Sequence, residues 1–309
     1  MAYCFLCDSE MAPRFHTRDH LRPNVLTEYT IEWCAPCDFG RVAGKFQPGD
    51  VASFYTSEYY THDALVESGK RQTSLLDRLL VQLAWRVDRG MDLSPSEVKP
   101  AFPGSTMCDV GCGSGRAMAM FKRAGYDVIG IEPDADARLP ASKAGEVIDG
   151  TAETLDAALA GRHFDVILLS HVLEHCIDPT AALVNVKKFL VPGGTTIIEV
   201  PNNTAKGFEM YGPSWFFSDV PRHLNFFTEA SLRRALALVG LRVTRVIYTG
   251  YARQFSASWL AAQRAIRTNT GLDAGQAWAG NIGLHLATTA FARPARKYDS
   301  IRIHAIRES

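Results

Sequence analysis

The sequence predicts an α/β fold built on a doubly wound, mostly parallel sheet. Three observations carry this expectation. Met107 to Val110 is a short run fit for a buried strand; it enters the glycine-spaced turn Gly111-x-Gly113-x-Gly115, and helix-compatible residues follow from Ala117 to Ala124. Phe164 to Ser170 is nearly continuous in apolar character, as a parallel strand covered on both faces must be. Around these two, strand-like and helix-like segments alternate, which is the signature of a sheet wound by crossovers.

The other elements follow in order. Thr27 to Trp33 reads as a strand, Thr73 to Arg86 as an amphipathic helix and Ser94 to Pro100 as a linker. Tyr126 to Pro133 alternates and is β-branched, so it reads as a strand ending in Glu132. Glu146 to Glu153 reads as a short strand, a turn and a capped helix start. Ala181 to Leu190 has helical character, which Pro192-Gly193-Gly194 stops, and Thr195 to Val200 is the next strand. Tyr251 to Arg267, carrying Phe255 and Trp259, and Leu284 to Arg296 read as helices. Ile301, Ile303 and Ile306 alternate imperfectly in a closing strand. The expected organisation is a cysteine module at 1–48, an aromatic and helical segment at 49–100, a core at 101–250 with a lid at 201–227, and a helical insertion with the closing strand at 251–309.

The glycine turn is not a dinucleotide fingerprint, because the third glycine of that pattern would fall at Arg116. Nor is it a phosphate-cradling Walker loop, since no Gly-Lys-Ser/Thr follows. Coming after a strand that bears Asp109, it suits a ligand without phosphates. Glu132, at the end of the next strand, can accept two hydrogen bonds from vicinal ribose hydroxyls.

Five stretches in this order carry a resemblance: Asp109 to Gly115, Gly130-Ile131-Glu132, His171-Val172-Leu173-Glu174-His175, Leu190 to Gly194, and His223 to Thr228. Together they resemble the class I S-adenosylmethionine-dependent methyltransferases, in the branch of the ubiquinone-biosynthesis O-methyltransferases and deoxysugar methyltransferases. The resemblance spans roughly residues 105 to 247. It implies a Rossmann-like sheet of seven strands, with 251–309 supplying the seventh. It further implies that Asp109 and the backbone of Gly111, Gly113 and Gly115 hold the methionine part of S-adenosyl-L-methionine, and that Glu132, followed by Pro133, binds the ribose. Thr151 and Ala152 would border the adenine, although many relatives have Asp where Thr151 stands. Ser170 and His171 would lie beneath the sulfonium.

Cys4-x-x-Cys7 and Cys34-x-x-Cys37 form two knuckles, and two such pairs can set four thiolates around one Zn²⁺. The long interval between them requires a hairpin or loop. His16 and His20 are weaker substitutes as ligands, because four cysteines already complete a site. A closed four-thiolate site leaves no open position, so its expected work is structural. Comparable knuckles precede the core of some deoxysugar C-methyltransferases and of a ribosomal-RNA guanine methyltransferase group.

Lys+Arg and Asp+Glu both number 33, which argues against a dedicated nucleic-acid partner. The chain lacks an apolar run of membrane-spanning length and opens without a basic, then apolar leader pattern, so a cytoplasmic enzyme is expected, free of disulfides. As partner a small molecule is expected, and as assembly a monomer or homodimer.

On the acceptor side, Phe208, Met210, Tyr211, Trp215, Phe216 and Phe217 are dense enough in aromatics to wall a substrate, and Tyr59 and Tyr60 resemble the segment that folds over the cofactor in small-molecule relatives. Phe226 and Phe227 read as core. His223 is the leading base candidate, with His171 and His175 behind it. In C-methylating sugar enzymes a similarly placed His follows a Glu; here Arg222 stands in that place and offers a cation for an acidic substrate group. The favoured reaction is O-methylation of a sugar or natural-product hydroxyl. C- or N-methylation of a nucleotide-linked sugar or other metabolite, RNA methylation, and a non-catalytic cofactor-binding or zinc-mediated interaction module are the alternatives.

Overall fold

The computed structural model describes residues 3–20, 22, 24–55, 79, 82–84, 86, 92–99, 102–256, 259, 263, 266 and 282–308. Its strands are β1 (Ala12–Arg18), β2 (Glu28–Cys34), β3 (Phe39–Val42), β4 (Thr106–Val110), β5 (Asp127–Ile131), β6 (Glu146–Ile148), β7 (Phe164–Ser170), β8 (Leu190–Pro201), β9 (Asn225–Phe226), β10 (Leu241–Thr249) and β11 (Ser300–Arg307). Helices include α1 (Pro48–Phe54), α2 (Arg116–Arg123), α3 (Ala135–Ala141), α4 (Leu155–Ala158), α5 (Pro179–Phe189), α6 (Lys206–Tyr211), α7 (Glu229–Leu238), α8 (Ile282–Thr289) and α9 (Pro294–Lys297). The chain forms two compact units. One gathers Met1–Met91, Pro201–Glu229 and Tyr248–Ile301; the other gathers Asp92–Val200, Ala230–Ile247 and Arg302–Ser309.

The second unit is built on the seven-stranded sheet that the sequence predicts, in the order β10-β11-β8-β7-β4-β5-β6. The pairs β4–β5, β4–β7, β5–β6 and β7–β8 are parallel. The chain runs outward from β4 to β6, then returns to β7 beside β4. That reversal makes the carboxyl ends of β4 and β7 a switch point, where open α/β sheets bind ligands. The apolar strand pattern is explained by cover on both faces: Val166, Ile167, Leu168 and Leu169 of β7 are all buried. On one side Met107, Met118 and Phe121, buried completely, pack α2 onto the sheet. Asp178 caps α5, its carboxylate accepting from the amides of Thr180 and Ala181.

Helix α5 ends at Phe189, and β8 starts at once with Leu190. Pro192-Gly193-Gly194 is therefore no separate turn after the helix. It lies within β8, in an irregularity where Leu190 faces Phe164 and Thr195 faces Val166, with Gly193 at φ 77°.

The first unit holds the order β1-β2-β3-β9, all antiparallel. β1 and β2 are the hairpin expected between the cysteine knuckles, with Thr27–Trp33 realised as Glu28–Cys34. Trp33 faces Gly40 across β2 and β3, and a Cβ at Gly40 would stand 2.3 Å from the indole, so only glycine lets the ring lie there. Phe226 and Phe227 are buried core, as expected.

The carboxyl-terminal helices differ from their sequence reading. Residues Ala252–Phe255 form a 3₁₀ turn that ends at extended Ser256, and only beyond it are Trp259, Gln263 and Ile266 helical and buried. The segment Leu284–Arg296 is broken: α8 stops at Thr289 and α9 starts at Pro294, because proline suits a first turn and not a helix interior. The sequence-predicted helix 73–86 falls mostly outside the described residues, and Tyr59 and Tyr60 fall wholly outside them. Among the described residues no helix is long and apolar enough to cross a membrane.

Candidate functional site

The loop after β4 turns on three glycines with positive φ: Gly111 (70°), Gly113 (52°) and Gly115 (79°). They are there for different reasons. A Cβ at Gly111 would meet Val172 Cγ2 at 2.5 Å, and one at Gly115 would meet Ala141 Cα at 2.8 Å. Gly113 faces open space. Its left-handed conformation costs glycine little. The amides of Gly111 and Cys112 donate to the carbonyl of Ile131, which docks the loop on the end of β5.

Glu132 closes the same corner. Its Oε2 accepts from the Gly113 amide at 2.8 Å and its Oε1 from the Asp134 amide at 3.0 Å. Arg138 donates to the carbonyls of Glu132 and Pro133. Gly130 keeps β5 close to the loop, since a Cβ there would lie 2.6 Å from Cys112 Sγ. Asp109 is buried at 3% exposure; burial, then the Glu132 charge, pushes its pKa up to about 7. An acid at the edge of ionisation, beside an anion, is the environment a ligand cation would relieve.

The other sequence-predicted cofactor residues lie in the same unit. Thr151 is half-buried and its amide donates to Thr154 Oγ1; Ala152 is buried and its carbonyl accepts from Asn185. Ser170 ends β7, and His171 follows in the left-handed region at φ 57°. His171 Nδ1 lies 3.1 Å from Glu174 Oε1 and Nε2 lies 3.6 Å from Glu199 Oε1. His175 closes the 3₁₀ turn Leu173–His175.

In the first unit the sulfur atoms of Cys4, Cys7, Cys34 and Cys37 all lie within 4.8 Å of one another. A tetrahedral four-thiolate metal needs sulfur separations of roughly 3.8 Å, from a metal–sulfur bond of about 2.3 Å. The two knuckles are built alike: Asp8 (φ 56°) and Asp38 (φ 49°), each following the second cysteine, are left-handed.

Residues 71–246, more than half of the chain, match the methyltransferase-domain family. The chain belongs to this family. It is similar to the ubiquinone biosynthesis O-methyltransferase of Cereibacter sphaeroides, at 34% identity over 187 residues, 57% of this chain and 73% of the relative. It is also similar to the protein of the same name from Dinoroseobacter shibae, at 33% over 178 residues, 54% of this chain and 69% of that one. Among solved structures, a SAM-dependent methyltransferase from Archaeoglobus fulgidus shares the fold at a TM-score of 0.50 and 18% identity, over 80% of this chain and 99% of that one. The chain is thus an S-adenosylmethionine-dependent methyltransferase.

The residues that the sequence suggests for the acceptor side lie in the first unit. Arg222 does not offer a cation to a ligand in this structure. It is fully buried, doubly hydrogen-bonded to Asp19 at 2.9 and 3.1 Å, and bonded to Asp219 at 2.8 Å. Burial opposes ionisation of Asp219, but Arg222 outweighs it and holds the carboxyl far below the usual carboxylate range. Arg22 joins at 2.6 Å from Asp19. Removing one member of such a buried group costs about 3–5 kcal/mol, because the partner charge is stranded. His223, next in sequence, donates from Nδ1 to the Phe217 carbonyl at 2.9 Å. Tyr211 and Trp215 are buried at 2% and 0% exposure and pack this unit; Phe216 is half-buried. A shallow concavity of about 410 Å³ in the same unit is lined by Arg14, Trp33 and Asp38, none of which carries the expected chemistry.

Sequence reasoning missed Asp19, Asp219, Glu199 and Arg302. The one available signal was charge set in apolar strands: Glu199 lies between Ile198 and Val200, and Arg302 lies between Ile301 and Ile303.

Proposed function

We propose that this enzyme O-methylates a hydroxyl of a small molecule, such as a sugar or a natural product. The observation that carries the reading is the corner formed by Gly113 and Glu132, an open left-handed glycine held to a buried acidic strand end. The O-methyltransferase names of the relatives support hydroxyl as the acceptor group.

S-adenosyl-L-methionine supplies the methyl group as a sulfonium when bound. Asp109 and the backbone of Gly111, Gly113 and Gly115 would hold its methionine part, and Glu132 with Pro133 its ribose. Thr151 and Ala152 would flank the adenine; Ser170 and His171 would face the sulfur. Methyl transfer needs the acceptor oxygen positioned in line and relieved of its proton. His223 is the residue we assign to take that proton, on the strength of its Nδ1–H bond to Phe217. Arg222 keeps the adjacent backbone in register through Asp19 and Asp219. We assign Zn²⁺ to the four thiolates, with a structural role.

The test of the base is His223→Ala. Turnover should fall by about 10²–10⁴-fold while cofactor affinity is kept. Unchanged turnover across pH would remove His223 from this role.

A further inference from the structure

A ladder of charged groups crosses the second unit and ends at the turn after β7. Glu97 Oε1 accepts from Arg302 Nη1 at 2.6 Å, and its Oε2 lies 3.0 Å from His304 Nε2. Arg302 Nε donates to Glu199 Oε2 at 2.7 Å. Glu199 Oε1 then faces His171 Nε2 at 3.6 Å, while Glu174 Oε1 faces His171 Nδ1 at 3.1 Å. The side chains of Glu97, Arg302, Glu199 and Glu174 are all under one-tenth exposed; that of His171 is one-third exposed. The His171 amide also donates to the Glu199 carbonyl at 2.9 Å, with the residue held at φ 57°.

A neutral imidazole has one N–H and one lone pair, so it can satisfy only one of two ionised carboxylates. An imidazolium satisfies both. Glu199 is anchored as an anion from its far side, since its other oxygen already accepts a hydrogen bond from the Arg302 guanidinium. We propose that His171 is a positioning residue, an imidazolium clamped between Glu174 and Glu199 that fixes the turn after β7, and that it is not the proton acceptor. Its bearing on catalysis rests on the methyl-transfer reading; its protonation state does not.

Burial disfavours charge on the ring, but Glu174 and then Glu199 outweigh it and raise its pKa to about 10. Water on the exposed third of the ring tempers the size of this effect and leaves its direction. The charged groups facing the ring among the described residues of this unit are Glu174 from its own turn and Glu199 from β8, with Arg302 of β11 behind. A general base must lose its proton near neutrality, and His171 keeps it. Nor is the ring an anion site, since both of its nitrogens face carboxylates.

The experiment is ¹⁵N NMR of the histidine side chains in the full chain, with the His171 signals assigned by their loss in His171→Gln. If that variant does not fold, the ring that responds to both Glu174→Gln and Glu199→Gln is assigned instead. Both ring nitrogens of His171 should stay protonated between about pH 6 and pH 8. Glu199→Gln should bring the midpoint down by about one pH unit or more. A wild-type midpoint near the ordinary 6.5 would overturn the proposal, as would a midpoint unmoved in both carboxamide variants. A second arm follows methyl transfer: His171→Gln should keep the low-pH limb of the wild-type rate profile, and its loss would contradict a positioning role. Absence of methyl transfer would sink the functional reading and leave the NMR result standing.

Discussion

Asp109 is the residue whose ionisation should respond most to the ligand proposed above. Its pKa, pushed up to about 7 by burial and by Glu132, means that the ligand-free fold disfavours the ionised form. The linked stability is fully present below the ordinary value of 3.8 and is lost as pH rises through about 7. A cationic amino group brought beside Asp109 would reverse the preference and expel the proton. Affinity for S-adenosylmethionine should therefore rise roughly tenfold between pH 6 and pH 8, and Asp109→Asn should flatten the rise. Titrations at several pH values check this; an unchanged affinity in the wild type would contradict it. Asp109 and Glu132 were legible in the sequence because each ends a strand beside a glycine turn. Glu199 and Arg302 were not, because alternation in a sheet covered on both faces does not mark which polar residue is buried. Arg222 was legible as a charge beside His223, but its partner Asp19 lies two hundred residues earlier, beyond any local pattern.

At the scale of elements, the glycine loop depends on close packing between α2 and α3. Gly115 is left-handed and would bring a Cβ to 2.8 Å from the Ala141 backbone, which a backbone atom cannot cheaply yield. Gly115→Ala should destabilise the fold by about 2–4 kcal/mol, from strain plus overpacking. Gly113→Ala, facing open space, should cost only about 1–2 kcal/mol. Thermal unfolding of the two variants checks the order, and an equal loss would refute the packing account. The strands and their crossovers were readable from hydrophobic runs, to the residue for Phe164–Ser170. The Pro-Gly-Gly segment was misread because the same residues that stop a helix can also bulge a strand. The break between α8 and α9 was signalled by Pro294 and overlooked in favour of continuing periodicity.

At the scale of the whole molecule, a reading along the chain finds the nucleotide-type core readily, because the parallel sheet is written in consecutive segments. The first unit is harder. Its four-stranded sheet takes β9 from residues 225–226, and its buried Arg222 pairs with Asp19, so its cohesion is long-range. Only the cysteine knuckles announced it. Their four sulfur atoms predict about one zinc per chain in reduced protein, lost on exhaustive chelation together with the folded structure of this unit. Metal analysis near zero in a well-folded preparation would refute that assignment. The methyl-donor site is tested most directly by calorimetric titration of the folded protein with S-adenosylmethionine. One cofactor should bind per chain, weakened by about 10²–10⁴-fold in Glu132→Ala, as expected for losing two hydrogen bonds to a charged group. No binding to well-folded wild-type protein, or full affinity in Glu132→Ala, would contradict it.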